Sequence, residues 1–172
     1  MADHFTKNLS LPVGAAIVCV VALAAIVSAH GFEHIGGYAP CPLCLMQRYA
    51  YYAGIPLAAL SFILARAERH GLAAILLALC GIGFLANAGL GVYHSGIEWK
   101  WWPGPASCSG GDLAPISGNL LEALEGARAV ACDEAPWRFL GLSFAGWNVL
   151  VSICIGLTAL LAIRAAGPNR PA

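Results

Sequence analysis

Two cysteines separated by two residues, Cys41 and Cys44, are the side chains of this sequence best suited to redox chemistry. A disulfide between them would close a loop too short to restrict the unfolded chain much, so reactivity explains such a bridge better than stability does. Paired thiols of this spacing exchange electrons with other disulfides when the pKa of one thiol is lowered. The pair therefore indicates thiol–disulfide exchange.

The residues around the pair predict that both thiols lie at the start of a helix. Pro42 suits the first helical position, where its missing N–H is not needed. Cys41 and Cys44 would then lie at the positive end of the helix dipole, which favours a thiolate. Arg48 follows Cys44 by one turn on the same face, with Gln47 beside it. We expect this buried cation to have a partner, such as an anionic sulfur, although Arg48 in isolation would extend to the membrane surface.

The composition places this helix in a membrane. The chain is 59% hydrophobic and 10% charged, with a mean hydropathy of +0.74, whereas soluble domains are about 25% charged. Nine basic residues balance nine acidic ones, so the chain has no positive field to attract nucleic acid. Four apolar runs can each span a bilayer, and they lie at about 11–31, 44–65, 71–93 and 140–163. We predict an all-α membrane protein, a single-domain four-transmembrane-helix bundle with glycines at its helix contacts.

The basic residues predict how the bundle is oriented. Those on one side of the predicted spans are Lys7, Arg66, Arg69, Arg164 and Arg170. The positive-inside rule makes that side cytoplasmic, together with both termini. Loops at about 32–43 and 94–139 then face outward. A cleaved signal peptide ending near Ala29 is the alternative for the first span, but its apolar stretch exceeds the 7–15 residues expected.

The cysteines divide by predicted depth. Inside the spans, where we expect sulfur to pack as an apolar group, lie Cys19, Cys80 and Cys154. Facing outward are Cys41, Cys44, Cys108 and Cys132. An oxidising compartment favours two disulfides among these four, and three pairings are possible. A Cys108–Cys132 bridge would close about 25 residues and contribute about 3 kcal/mol, so a structural role suits that pair well.

Two other uses of the Cys-x-x-Cys pair fit the sequence poorly. Haem attachment requires histidine after the second cysteine, and Leu45 occupies that position. A zinc site would need a second close cysteine pair, whereas Cys108 and Cys132 are far apart in sequence.

The stretch Pro40-Cys41-Pro42-Leu43-Cys44-Leu45-Met46-Gln47-Arg48 resembles the signature of the DsbB family of disulfide bond formation proteins, bacterial inner-membrane thiol:quinone oxidoreductases. Further stretches similar to that family cover both outer loops and three of the four spans. They are Gly96–Trp99, Trp102–Cys108, Cys132–Glu134, Gly141–Ser143 and Trp147-Asn148.

This resemblance implies an electron relay with four catalytic cysteines. A Cys108–Cys132 disulfide would accept electrons from a periplasmic DsbA-like thioredoxin-fold protein through a mixed disulfide at Cys108. Exchange would pass them to Cys41 and Cys44, and Cys44 would deliver them to a membrane quinone, ubiquinone or menaquinone. The same resemblance suggests His94 as a hydrogen-bond or proton donor to the quinone, and we expect Arg48 and Gln47 beside it.

Two other functions remain as alternatives. One is a non-catalytic four-span scaffold whose outer loops carry structural disulfides, similar in plan to claudins or tetraspanins. The other is an enzyme resembling vitamin K epoxide reductase, which would carry its Cys-x-x-Cys at a different span.

Three further expectations concern groups around the predicted site. The tryptophans expected to form an interfacial belt are Trp99, Trp101, Trp102 and Trp137. Asn87 and Asn148 are expected to join helices by hydrogen bonds. A short amphipathic helix is predicted from Asn119, lying on the membrane surface.

Overall fold

The structure is a computed structural model that describes residues 9–105, 108 and 132–166. Its helices are α1 (Leu11–His34), α2 (Pro42–Arg66), α3 (His70–Glu98) and α4 (Phe144–Ala165). Two short antiparallel strands, β1 (Arg138–Phe139) and β2 (Leu142–Ser143), precede α4. The amphipathic helix predicted from Asn119 lies outside the described residues.

Three of the four helices, α1, α3 and α4, are long and apolar enough to cross a membrane. The mostly helical, membrane-spanning character predicted from the sequence is thereby confirmed. Helix α2 is the least apolar of the four, because its first turns carry polar side chains such as Gln47 and Arg48. That α2 is a fourth span, and that the loops face outward, stays a prediction.

Three helix boundaries differ from the expected ones in ways that affect the site. Helix α1 continues to His34 instead of ending near residue 31, so Glu33 lies in its last turn. Helix α3 continues to Glu98 instead of ending near residue 93, so His94 and Glu98 lie one turn apart on the same helix. Helix α4 begins at Phe144 rather than near residue 140, because the β1–β2 hairpin comes first. The hairpin is a small departure from the all-α prediction. Its turn has positive φ at Leu140 and at Gly141, where glycine relieves the strain.

The four helices pack in a ring, in which α1 and α3 each contact both α2 and α4. Alanine is the commonest residue of the core, which also contains larger buried side chains such as Leu77 and Phe84. As predicted for the cysteines inside the helices, Cys80 is buried in this core and Cys19 packs against it, whereas Cys154 is exposed.

Glycines bring the helices close together at particular positions. A Cβ atom added at Gly14 of α1 would lie 2.2 Å from the Cβ of Ala162 in α4. Gly81 and Gly156 sit at the α3–α4 contact, where an added Cβ would come within 3.0 Å of Ala159 and 2.7 Å of Leu85, respectively. By contrast, an added Cβ at Gly83 would meet nothing within 4 Å. The predicted role of glycine in close helix approach is therefore confirmed for only some of the glycines.

Replacing Gly14 with alanine is expected to destabilise the bundle by about 1–3 kcal/mol, because the new methyl group has no room against Ala162. Unfolding of the purified protein in mixed detergent micelles measures this change. Gly83→Ala is the matched control and should cost nothing, since alanine is the better helix former and that position is open. Equal stability of the two variants would contradict the packing described for α1 and α4.

Candidate redox site

The Cys-x-x-Cys pair begins helix α2. Cys41 is the N-cap residue, and its Sγ accepts a hydrogen bond from the backbone N–H of Cys44 at 3.2 Å. Pro42 occupies the start of the helix, which confirms the position predicted for it. Both cysteines are free thiols, and their Sγ atoms are 3.0 Å apart. The helix start therefore holds the two sulfurs close together without a bond between them.

Cys41 is the buried member of the pair, with 3% of its surface exposed. A hydrogen bond from the Cys44 thiol, followed by the nearby His94 ring, lowers the pKa of Cys41 to about 4, although burial opposes this shift. The Nε2 atom of His94 lies 3.6 Å from the Cys41 Sγ. At neutral pH, Cys41 is therefore the thiolate of the pair, and a thiolate is the nucleophile in disulfide exchange.

The second cysteine pair is a disulfide between Cys108 and Cys132, with their Cα atoms 5.0 Å apart. The backbone N–H of Cys132 also donates to the carbonyl oxygen of Cys108 at 3.2 Å. Both cysteines belong to the same buried cluster as Cys41, together with Leu43 and Ile97. Of the three pairings left open, the structure thus has this one, and it places the disulfide in the same cluster as the free thiols.

A chain of hydrogen bonds leads from His94 into the bundle. The Gln47 side-chain amide donates to His94 Nδ1 at 2.9 Å, and Asn148 of α4 donates to Gln47 Oε1 at 2.7 Å. The hydroxyl of Tyr51 donates to Asn148 Oδ1 at 2.6 Å, and Asn87 donates to the same oxygen at 3.2 Å. The interhelical hydrogen bonds predicted for Asn87 and Asn148 are confirmed.

The direction of these hydrogen bonds fixes the state of the His94 ring. The Asn148 oxygen accepts from Tyr51, so its amide nitrogen faces Gln47 and the Gln47 nitrogen faces His94. His94 Nδ1 is then an acceptor, and the ring proton is on Nε2, toward Cys41. This assignment follows from the network of donors and acceptors.

Glu98 is a member of the site that the sequence analysis missed. Its carboxylate lies 3.9 Å from His94 Nε2 and accepts a hydrogen bond from the hydroxyl of Ser143. Glu98 was missed because α3 was expected to end before it. The spacing of four residues between His94 and Glu98 is the signal that would have placed both on one helix face.

Arg48 forms an ion pair with Glu33 at the end of α1. Glu33 was not expected as a partner, because the sequence predicted a loop at this residue, whereas it lies in the last turn of a helix. Arg48 thus already has a carboxylate partner. Its predicted role toward an anionic sulfur or a quinone stays a prediction.

A cavity of about 470 Å³ opens beside these groups, between α1, α2 and the start of α4. Its polar lining includes Cys44, Gln47, Arg48 and Asn148. Its aromatic lining comprises Phe32, Tyr38, Tyr51, Trp137, Phe139, Phe144 and Trp147. Cys44 is the cysteine that lines this space, whereas His94 is only 2% exposed and contacts Gln47 and Cys41 instead. The cavity is suited to a largely apolar molecule that contacts one thiol.

The four tryptophans predicted to form a belt have different surroundings. Trp99, Trp101 and Trp102 are exposed beyond the end of α3, and the indole N–H of Trp102 donates to the Tyr93 carbonyl at 2.9 Å. Trp137 instead stacks on Phe144, with ring centroids 5.0 Å apart, and lines the cavity.

The thiols could also be considered as metal ligands. Ligand atoms of Cys41, Cys44 and His94 lie within 4.8 Å of one another. A structural zinc site needs a fourth ligand. Cys108 and Cys132, which lie in the same cluster, are bonded to each other and cannot supply it. While that disulfide is present, the four cysteines therefore cannot form a four-thiolate zinc site.

Comparison with known proteins gives a consistent result. Residues 13–162 match the family described as "Disulfide bond formation protein DsbB". The chain is 31% identical to "Disulfide bond formation protein B" of Polaromonas sp. strain JS666, over 90% of this chain and 92% of that protein. It is 35% identical to the protein of the same name from Aromatoleum aromaticum, over 80% of this chain and 81% of that protein. No solved structure matches the chain.

The lowered pKa of Cys41 gives a direct prediction about pH. The ultraviolet absorbance of the thiolate, taken as the difference between the native protein and Cys41→Ser, should titrate near pH 4 and be fully present at neutral pH. His94→Ala should move this midpoint upward, because the ring no longer faces the sulfur. A midpoint near the ordinary thiol value of about 8.5 in the native protein would contradict the site geometry.

Proposed function

The chain belongs to the DsbB family of disulfide bond formation proteins, multi-pass proteins of the bacterial inner membrane, and from this premise we propose that it is a protein-disulfide:quinone oxidoreductase. The observation that carries the proposal is the position of the Cys41–Cys44 pair. Cys41 packs in the cluster that holds the Cys108–Cys132 disulfide, while Cys44 lines the cavity. One pair of thiols thereby has access to both a disulfide and an apolar binding space.

The exchange with a soluble partner begins at the outer disulfide. A thiolate of a reduced, DsbA-like thioredoxin-fold protein attacks the Cys108 sulfur, breaking the Cys108–Cys132 bond and forming a mixed disulfide. The second thiol of the partner then displaces Cys108. The partner leaves oxidised, and Cys108 and Cys132 become a dithiol.

The second exchange takes place inside the protein. The dithiol of Cys108 and Cys132 reduces a disulfide between Cys41 and Cys44 and becomes a disulfide again. The structure has the outer pair bonded and the inner pair as thiols. The shared buried cluster supports the step, because the cysteines of both pairs pack in it.

The cavity beside Cys44 fits a quinone ring. A quinone, when bound, accepts two electrons and two protons. The ring faces would pack against aromatic side chains such as Phe144 and Trp147, and the polar edge has Arg48 and Gln47 as donors. Cys44 is the cysteine positioned to react there, since Cys41 is buried against His94.

The buried network positions the thiols and supplies a place for a proton. His94 directs its Nε2–H toward the Cys41 thiolate and so stabilises the charge on that sulfur. Gln47 and Asn148 hold the ring in this orientation through their hydrogen bonds. Glu98, close to the same nitrogen, can compensate the charge if the ring takes up a second proton.

The scaffold alternative assigns both cysteine pairs a purely structural role. A structural role is the weaker explanation for a bridge between Cys41 and Cys44, because so short a loop restricts the unfolded chain little. Cys108 and Cys132 do form a bridge that also suits a structural role. The two functions are therefore separated by testing the inner pair.

The proposal predicts that reduced DsbA-like protein will reduce quinone only through the native chain. Quinone absorbance is followed in proteoliposomes containing the native protein, Cys44→Ser or Cys108→Ser. Both variants should fall to the rate without protein, because each removes one step of the relay. Cys154→Ser is the matched control, since Cys154 is exposed on α4 away from the cluster, and it should keep the native rate. Quinone reduction by Cys44→Ser at the native rate would refute the proposal.

Arg48→Gln is expected to raise the apparent KM for quinone several-fold with a smaller change in kcat, because it removes a cation from the cavity lining. Steady-state rates at varied quinone concentration measure both constants. Arg66→Gln, at the other end of the same helix, is the control and should leave both unchanged. An unchanged KM in Arg48→Gln would remove Arg48 from the quinone site.

A further inference from the structure

The last two turns of α1 carry a second cluster of metal-binding side chains, to which the proposed electron relay assigns no role. His30 and His34 are one turn apart, with their rings stacked and the ring centroids 5.7 Å from each other. A carboxylate oxygen of Glu33 lies 3.7 Å from His30 Nδ1. One ligand atom from each of the three residues lies within 4.8 Å of the other two. Rearrangement of side chains alone can therefore bring three ligands to one ion.

A contact from the neighbouring helix orients the His30 ring. Its Nε2 atom is 3.0 Å from the hydroxyl of Tyr52 in α2. This leaves Nδ1 as the nitrogen nearest Glu33. Histidines that bind metals commonly hydrogen-bond through the other ring nitrogen, which fixes the tautomer and the ring direction. His30 already has a hydrogen-bond partner at Nε2, and this contact would hold its Nδ1 toward an ion bound beside Glu33.

The cluster is accessible from outside the bundle. The side chain of His30 is 41% exposed and that of Glu33 is 23% exposed. All three residues lie in the last turns of α1, on the side predicted to face the periplasm. A dissolved ion can thus reach them without unfolding of the helix.

From this geometry we propose that His30, Glu33 and His34 form a site for a divalent transition-metal ion of the zinc type. Two imidazoles and one carboxylate are a ligand set typical of zinc, and three protein ligands leave one coordination position open. Calcium and magnesium are disfavoured, because they prefer sites made of oxygen alone. The site is separate from Cys41, Cys44 and His94, and the proposal does not depend on the activity of the cysteines.

The ion would share Glu33 with Arg48. The contact from Arg48 is to Oε2 of this carboxylate, the oxygen that is also nearest to His30. The ion and the Arg48 guanidinium would therefore either compete for the Glu33 carboxylate or bind to it together. Because Arg48 lines the cavity, the metal site adjoins the proposed quinone site.

Binding of Zn²⁺ to the detergent-solubilised full chain tests the proposal. Calorimetry is performed in a Cys41→Ser/Cys44→Ser background, which removes the other cluster able to hold a metal among residues 9–105, 108 and 132–166. We expect one Zn²⁺ per chain, with the affinity reduced at least tenfold by His30→Ala or by His34→Ala. Tyr52→Phe, which removes only the hydroxyl that orients His30, should weaken binding less than either change.

His70→Ala is the matched control. His70 is an exposed histidine next to Glu68 at the far end of the bundle, so this variant should bind Zn²⁺ as the background protein does.

A second readout identifies the ligands and guards against folding artefacts. Cu²⁺ in place of Zn²⁺ should give an electron paramagnetic resonance spectrum with coupling to two imidazole nitrogens, reduced to one in either histidine variant. Circular dichroism of each variant should match the background protein. No saturable Zn²⁺ binding, or equal affinity in the background protein and both histidine variants, would overturn the proposal. Neither result depends on quinone reduction, so failure here leaves the proposed function intact.

Discussion

The start of helix α2 is the constraint on which the rest of the site depends. Cys41 caps the helix through its sulfur, and the two thiols meet because a helical turn separates them. The cap places Cys41 in the protein interior, where the Cys44 thiol and the His94 ring stabilise its negative charge. The same turn directs Cys44 to the cavity. A single helix terminus thus gives two chemically similar residues different surroundings.

The buried polar side chains extend this constraint through the bundle. In an apolar medium, unpaired polar groups are costly, so Gln47, Asn148 and Tyr51 satisfy one another and join α2 to α4. Their chain of donors ends at His94 on α3. Helix packing and the orientation of the histidine are therefore coupled, and a change in either alters the environment of the Cys41 sulfur.

Much of this arrangement could be predicted from the sequence. Hydropathy located the helices, and the Cys-Pro-Leu-Cys spacing identified the start of α2. Partners that are distant in sequence could not be found in this way. The pairing of Arg48 with Glu33 depends on α1 continuing to His34, and the place of Glu98 depends on α3 continuing past its apolar run. Both helices extend beyond the hydrophobic stretch because their polar ends are held by contacts with other helices and with the hairpin.

The central claim is that Cys44 faces a quinone-binding cavity between α1, α2 and α4. A photoreactive quinone analogue, cross-linked to the protein in membranes and mapped by mass spectrometry, tests this most directly. Labelling of cavity residues such as Phe32, Phe144 and Trp147 is expected, and it should be lost when unmodified quinone is in excess. Displaceable labelling confined to the outward face of α3, at residues such as Ile75 and Ile82, would contradict the claim.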